Sequence, residues 1–348
     1  MPSTARRLAG FTESVIRGMT RLANQHGALN LSQGFPDFDP PEALLAALER
    51  ATRGPHHQYA VTWGAPRFRQ ALAAKVNRCT GLTLDPDQHF VVTCGSTEAM
   101  MAAMMTACDP GDKVIVEGPT FLATIQCFRL YGAQVIAAPI DAQGVQVDRL
   151  EQLIVEHRPR MIYLIPTFGN PSGAMLSLER RRRILELAAQ HQVLVVEDDP
   201  YGDLYFKDAP PPSLLALSAQ VPGSREWLVH CGSLSKVLSP GLRVGWMIAP
   251  AELLSRAVMC KQFSDAHTST FAQATAAQYL KAGRMPATLD HVRQVYALRA
   301  QTMCDALRKD LGDAISFVQP QGGLFVWASL TGAGGKVNDG NAFAKMAI

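Results

Sequence analysis

Between about residue 90 and residue 250 the chain alternates short β-branched runs with helix-length segments, and no other feature limits its fold so strongly. A helix between two strands carries the chain back to the end of the sheet where the first strand began, so the pattern predicts a mainly parallel sheet covered by helices on both faces. The strand candidates are His89–Thr93, Lys113–Glu117, Gln134–Ala138, Met161–Ile165, Val193–Glu197, Trp227–Cys231 and Val244–Ile248. Helical patterns over 96–108, 121–131, 148–157 and 178–191 lie between them, the last opened by Ser177 as a cap with Glu179 in its first turn. The expected fold is α/β, with a mainly parallel seven-stranded sheet.

A periodic stretch from Met285 to Asp310, free of Gly and, past its first turn, of Pro, predicts one long helix. It leads to a smaller α+β unit. There Ile315–Val318 and Gly323–Ala328 flank the turn residues Pro320-Gln321-Gly322 and read as antiparallel strands. A Gly-rich stretch, Gly332 to Gly335, and an incipient helix from Asn341 bring the chain to Ile348, so this unit is expected to be incomplete. The reading divides the chain into an N-terminal arm and joining segment (1–45), a large domain (46–282) and a small C-terminal domain (283–348).

The 348 residues, 47% of them hydrophobic, supply a substantial core and exclude disorder. Lys and Arg number 33 against 30 Asp and Glu, a balance too even to define a polyanion-binding surface, so nucleic acid is not an expected partner. The most continuous apolar stretch, Ala99–Cys108, is bounded by Glu98 and Asp109 and falls short of the roughly 18 residues a membrane span needs. Seven cysteines, an odd number with no two at metal-ligand or redox-pair spacing, read as reduced thiols and predict a cytoplasmic protein. Residues 1–22 carry four arginines but no apolar segment of signal length, and read as an arm.

In open parallel sheets ligands bind beyond the carboxyl ends of the strands. Those ends carry Gly95-Ser96-Thr97 before a helix, Phe121, Asn170, Asp198 followed by Tyr201, and Ser233-Leu234-Ser235-Lys236 followed by Arg243. Each has an ordinary reading alone: a helix cap, a salt-bridge partner, a solvated loop lysine. Together a phosphate nest, an aromatic ring, an amide, a carboxylate and a lysine describe one ligand with a phosphate, a flat ring, a basic ring nitrogen and a carbonyl. That description fits pyridoxal 5'-phosphate (PLP), the expected cofactor.

At this point the sequence resembles the fold-type I, class I aminotransferases. SLSKVLSPGLRVGW (233–246) is similar to the family's lysine signature. NLSQGFPDFDPP (30–41) resembles the N-terminal segment of kynurenine and methionine aminotransferases, and VEGPTFLATIQCFRLYGAQV and VVEDDPYGDLYF resemble the 2-aminoadipate group. The resemblance implies a PLP-dependent transaminase acting on an amino acid and a keto acid. It implies that Lys236 forms the Schiff base and shuttles the proton, and that Asp198 faces the pyridine nitrogen. Asn170 and Tyr201 would bond the ring hydroxylate, Phe121 stack on the ring, and Gly95, Ser96, Thr97, Ser233, Ser235 and Arg243 form the phosphate cup. Tyr59 would reach the neighbouring subunit's phosphate in a homodimer, and Gly34, with Asn170, would meet the substrate carboxylate.

Two departures stand out. Gly169 occupies a position where relatives carry His or Gln, and no residue matches the arginine that binds the substrate α-carboxylate. About 40 to 60 further residues are expected from the family's length, so a truncated product is the expectation. β-Elimination or decarboxylation on the same cofactor, and a truncated PLP-binding protein with little turnover, are the alternatives. A regulator with a winged helix ahead of this fold is not expected, since the family's segment already begins by Asn30.

Other motifs carry less. GAGGK (332–336) lacks the spacing of a nucleotide loop, and the nine histidines show no ligand spacing, so no metal is expected. Arg180–Arg183 read as a solvated face, and Met100, Met101, Met104 and Met105 as core.

Overall fold

Runs such as Phe90-Val91-Val92, Val114-Ile115-Val116 and Met161-Ile162-Tyr163-Leu164 are buried along their whole length, as strands covered on both faces must be. The computed structural model describes residues 5–8, 11 and 13–331. The chain begins with α1 (Val15–Gln25), α2 (Glu42–Arg53) and α3 (Pro66–Thr80). It continues through β1 (Phe90–Thr93), α4 (Gly95–Ala107), β2 (Lys113–Gly118), α5 (Leu122–Leu130), β3 (Gln134–Asp141), β4 (Gly144–Val145) and α6 (Val147–His157). Then come β5 (Met161–Leu164), α7 (Leu178–His191), β6 (Leu194–Asp199), α8 (Leu214–Leu217), β7 (Leu228–Ser233) and β8 (Gly245–Ile248). Helices α9 (Ala251–Ser264), α10 (Thr270–Lys281) and α11 (Met285–Leu311) precede β9 (Ile315–Phe317) and β10 (Ala328–Leu330).

The sheet order is β1-β8-β7-β6-β5-β2-β3-β4. Strands β3, β2, β5, β6 and β7 run parallel, which places Val116 beside Tyr163 and Asp198 beside Cys231. β8 runs against both its neighbours, and Gly245 lies opposite Thr93 on one side and Ser233 on the other. Helix α4 packs across β6, β7 and β8 and against α5 and α9, while α6, α7 and α8 pack together in the other layer.

All seven strands read from the sequence are present, and the sheet has an eighth. Strand β4 is two residues that fold back on the end of β3, with Val145 opposite Ile140. Gly144 makes the reversal at φ +82°, where a Cβ would also meet Leu176 at 2.8 Å. The sequence pattern is too short there to register as a strand.

The C-terminal hairpin also differs from expectation. Its second strand starts at Ala328, where the reading ended it, and pairs with Phe317. The residues before it are drawn to the segment that follows β6 instead: Phe206 N donates to Gln321 O and Gly323 N to Leu204 O, both at 2.9 Å. Gly322 permits that approach, since a Cβ on it would fall 2.4 Å from Phe168. Gly332–Lys336 and the helix expected from Asn341 lie outside the described residues.

Helix α7 is capped as read, Ser177 Oγ accepting from Arg180 N. Its arginines are not all on a solvated face. Arg180 pairs with Asp141 and Arg183 with Glu151, but Arg181 is wholly buried. Four successive positions span more than one face of a helix, so one had to turn inward. On α4, Met100 and Met104 are buried and Met101 and Met105 half-buried, in keeping with a core role.

Candidate active site

Strand β6 ends in two adjacent carboxylates, and the period of a strand sends them to opposite faces. Asp198, 5% exposed, shares its face with Tyr163 of β5. Its Oδ2 accepts a hydrogen bond from Tyr163 Oη at 2.6 Å, while the buried Oδ1 has no hydrogen-bond partner among the described residues. Burial pushes this carboxyl up to about 6, against the pull of the Tyr163 hydrogen bond. Asp199 is spent on the turn that follows, accepting from Gly202 N at 2.9 Å. Glu197, on the Asp199 face, accepts from Leu214 N and Leu215 N at the start of α8 and bonds His230 at 2.9 Å.

Beside Asp198 the start of α4 presents free backbone N–H groups, with the half-buried Ser96 and exposed Thr97 in its first turn. Glu98 steadies this end: it accepts from Cys94 N at 2.6 Å and from the buried Lys261 ammonium at 2.8 Å. Arg243 closes the opening. Its backbone sits in the left-handed region at φ +51° between the turn Pro240–Leu242 and β8. From there the guanidinium donates to Ser235 Oγ at 3.2 Å and to Cys94 O at 3.1 Å, and Ser233 Oγ donates to Ser235 Oγ at 2.9 Å. Glycines make the cradle: a Cβ on Gly95 would lie 2.5 Å from Arg243 Nη2, and one on Gly245 2.4 Å from the Gly95 carbonyl carbon. A guanidinium, serine hydroxyls and a helix N-terminus converge as an anion site requires.

Lys236 follows this cup by one residue, and its Nζ donates to Gly34 O at 2.8 Å. Burial, and then the charge of Arg243, lowers its pKa from the ordinary lysine value. Contacts run on from Gly34, where a Cβ would meet the Phe325 ring at 2.8 Å, to Phe325 edge-on against Tyr201 with centroids 5.8 Å apart. Tyr201 Oη accepts from Asn170 Nδ2 at 3.2 Å, and burial, then the Asp198 charge, pushes the phenol up. Gly169 lies in a tight turn, its N–H donating to Ala174 O and its carbonyl accepting from Gly173 N. A Cβ there would come within 2.9 Å of Ser172 Oγ.

Contacts thus join Lys236, Gly34, Tyr201 and Asn170 on one side and Gly95, Ser233, Ser235 and Arg243 on the other, the two sets meeting at Ser235-Lys236, with Ser96 and Thr97 on the adjoining helix turn and Asp198 near enough for its charge to act on Lys236 and Tyr201. Phe121 stands at the same edge, half-buried at the start of α5. Tyr59 does not join them: it is 85% exposed and edge-on to His267 at 5.6 Å. Among the described residues no cluster of three or more His, Cys, Asp or Glu could hold a metal ion, and no helix is long and apolar enough to cross a membrane.

Four supporting groups escaped the sequence reading. They are Tyr163, the Lys261–Glu98–Asp265 cluster, Glu117 and Arg181. Glu117, buried at the end of β2 and pushed up to about 8 by burial, accepts from Ile165 N at 2.8 Å. Arg181 donates to Pro166 O and Thr167 Oγ1, both at 2.9 Å, and so pins the loop that carries Asn170. A polar side chain inside an aliphatic strand, as in Met161-Ile162-Tyr163-Leu164, was the available signal for Tyr163.

Comparison with known proteins agrees with this geometry. The family profile "Aminotransferase class I and II" matches residues 27–348. A 2-aminoadipate transaminase from Thermus thermophilus is 36% identical over 324 residues, covering 91% of this chain and 79% of that protein. Aromatic-amino-acid aminotransferase 1 from Thermococcus litoralis is 30% identical over 331 residues, 92% of this chain and 78% of that one. The crystal structure of the α-aminoadipate aminotransferase LysN from Thermus thermophilus, complexed with N-(5'-phosphopyridoxyl)-L-leucine, superposes with a TM-score of 0.85 at 34% identity. That superposition covers 95% of this chain and 82% of LysN. With the strand-edge lysine, the buried aspartate and the anion cup in place, the match over most of the chain settles the assignment: this protein belongs to the class I and II aminotransferases and is PLP-dependent.

Proposed function

We propose that the protein moves an amino group from an L-amino acid with an aromatic or long side chain to a 2-keto acid such as 2-oxoglutarate, in two half-reactions at one site. The unpartnered Oδ1 of Asp198 carries this reading. A buried carboxylate oxygen without a donor is costly, and a protonated ring nitrogen in line with it would supply the missing hydrogen bond. The cup of Ser233, Ser235, Arg243 and the α4 N-terminus fits the phosphate, and Asn170 with Tyr201 fits the ring hydroxylate.

When bound, PLP supplies an electron sink for the carbanion formed at the substrate α-carbon. Lys236 Nζ, its pKa lowered, takes and returns the proton at that carbon. Asp198 holds the ring nitrogen's proton. The glycine at Gly34 leaves its backbone open to the substrate carboxylate, and Phe325, seated between Gly34 and Tyr201, offers an apolar surface to the donor side chain. The names of the relatives, which include 2-aminoadipate and aromatic-amino-acid aminotransferases, support a broad donor range.

The exposure of Tyr59 supports a homodimer in which this side chain reaches the other subunit's phosphate. The division at about residue 282, ahead of α11, belongs to the same reading.

The test is a titration of the cofactor-loaded protein with single amino acids. A donor alone should move the visible absorbance of the bound cofactor to the near-ultraviolet, and 2-oxoglutarate should restore it. Borohydride treatment should fix the cofactor on Lys236, as peptide mass mapping reads. Loaded protein that gives no spectral change with any donor would remove the proposal.

A further inference from the structure

Tyr163 belongs to none of the motifs, yet among the described residues it makes the one side-chain hydrogen bond to Asp198 of good geometry. It lies on β5 opposite Val196, so that Asp198, two residues further along β6, falls on the same face one pleat away. The side chain is wholly buried, and its ring stands edge-on to Phe128 of α5 with centroids 5.8 Å apart. The hydroxyl therefore reaches Asp198 from a ring locked by packing. Burial, followed by the Asp198 charge, keeps the phenol well above its ordinary pKa, so it remains a donor throughout the neutral range.

We propose that Tyr163 is a positioning residue for amino transfer: by occupying Oδ2 of Asp198 it fixes the rotation of the carboxylate and leaves Oδ1 as the atom presented to the ring nitrogen of PLP. This rests on the reading of Asp198 given above. A carboxylate free to rotate about its Cβ–Cγ bond offers either oxygen, and the bound ring would then order it at an entropic cost. With one oxygen held, the other is pre-set. The same hydrogen bond favours the ionised carboxylate over the neutral one. The titratable groups on the side of Asp198 are Tyr163 on β5, Cys231 on β7, Tyr201 and Lys236, while Asp199 and His230, on the other face of the sheet, act on it only through their charge. Ser96 adds a hydroxyl from α4.

The experiment compares Tyr163→Phe, Asp198→Asn and the double variant as cofactor-loaded proteins. The Phe change removes one oxygen and keeps the ring against Phe128. Tyr163→Phe should weaken cofactor binding about tenfold, the usual worth of one charge-assisted hydrogen bond. It should also lower kcat by a similar factor with the donor KM unchanged, and displace the pH midpoint of the cofactor's visible band. Because Tyr163 acts through Asp198, the double variant should lose no more than Asp198→Asn alone.

Phe128→Leu serves as a packing control. It should lower thermal stability and leave the spectral pH midpoint in place. The proposal is overturned if Tyr163→Phe keeps wild-type cofactor affinity and pH midpoint, if its losses match the control's, or if they add in full to those of Asp198→Asn. The underlying reading has its own signature of failure: Asp198→Asn would then leave the spectrum and affinity unchanged, or borohydride would not label Lys236 in the wild-type protein.

Discussion

The burial of Asp198 makes a prediction about stability that is independent of turnover. Its carboxyl is raised from an ordinary value of 3.8 to about 6, chiefly by burial. At about 1.4 kcal/mol for each tenfold change in proton affinity, ionised Asp198 costs the cofactor-free fold about 3 kcal/mol. The sign follows from proton counting. Between about pH 4 and 6 the folded chain keeps the proton that the unfolded chain has lost, so stability falls as pH rises through that window and is level above it. Asparagine has the same shape, can still accept from Tyr163, and carries no charge. Asp198→Asn should therefore stabilise the cofactor-free protein at pH 7.5 by about 3 kcal/mol, or about 4 °C in Tm for a chain of 348 residues. The gain should fade toward pH 4. Paired thermal or urea unfolding of the two proteins at pH 4.5, 6 and 7.5, after removal of the cofactor, gives the difference directly. A variant that is less stable at pH 7.5, or equally displaced at every pH, would refute the claim that burial strains this carboxylate.

Lys236→Ala should abolish borohydride-stable labelling and reduce transamination by about 10⁴-fold, while circular dichroism stays native. In Gly95→Ala the new methyl meets the Arg243 guanidinium at 2.5 Å and the backbone is held at φ +76°. Cofactor affinity, measured by fluorescence titration, should drop about tenfold or more, and a tight-binding variant would show the cup to be looser than drawn. Lys261→Met removes an ammonium whose side chain is fully buried between Glu98 and Asp265. Leaving two carboxylates without it should cost about 3 kcal/mol, read as a lower Tm, and adding Asp265→Asn should recover part of the loss.

The parallel sheet was legible because its strands are covered on both faces and so read as unbroken apolar runs. Asp198, Asn170, Lys236 and Arg243 were legible because they cluster at one rim of the sheet, Asp198 at the end of β6, Asn170 and Lys236 beyond β5 and β7, and Arg243 at the entry to β8. Residues that act across the sheet were not. Tyr163 reaches Asp198 over 35 positions of sequence, and Lys261 reaches Glu98 over 163, distances at which composition and spacing carry no signal. Sequence could not fully choose a pairing partner for the run beginning at Gly323 either. Its apolar character suits a hairpin with β9, and the backbone contacts with Leu204 and Phe206 prevailed. Arg181 shows the same limit, since four identical side chains in a row give no hint of which one turns inward.

The reversed direction of β8 explains why one half of the anion cup, Ser233, Ser235 and Arg243, comes from so short a piece of chain. In an all-parallel arrangement the residue entering a strand lies at the far end of the sheet from the residue leaving its neighbour. Here Arg243 enters β8 at the same rim where Ser233 leaves β7, and Ser235 and Arg243 meet across only eight positions. That half of the cup is therefore a local hairpin cassette whose loop closes over few residues, and only the other half, the α4 N-terminus with Cys94 O, is brought in from far along the chain. A change of even one residue in the length of that connection would be felt there at once.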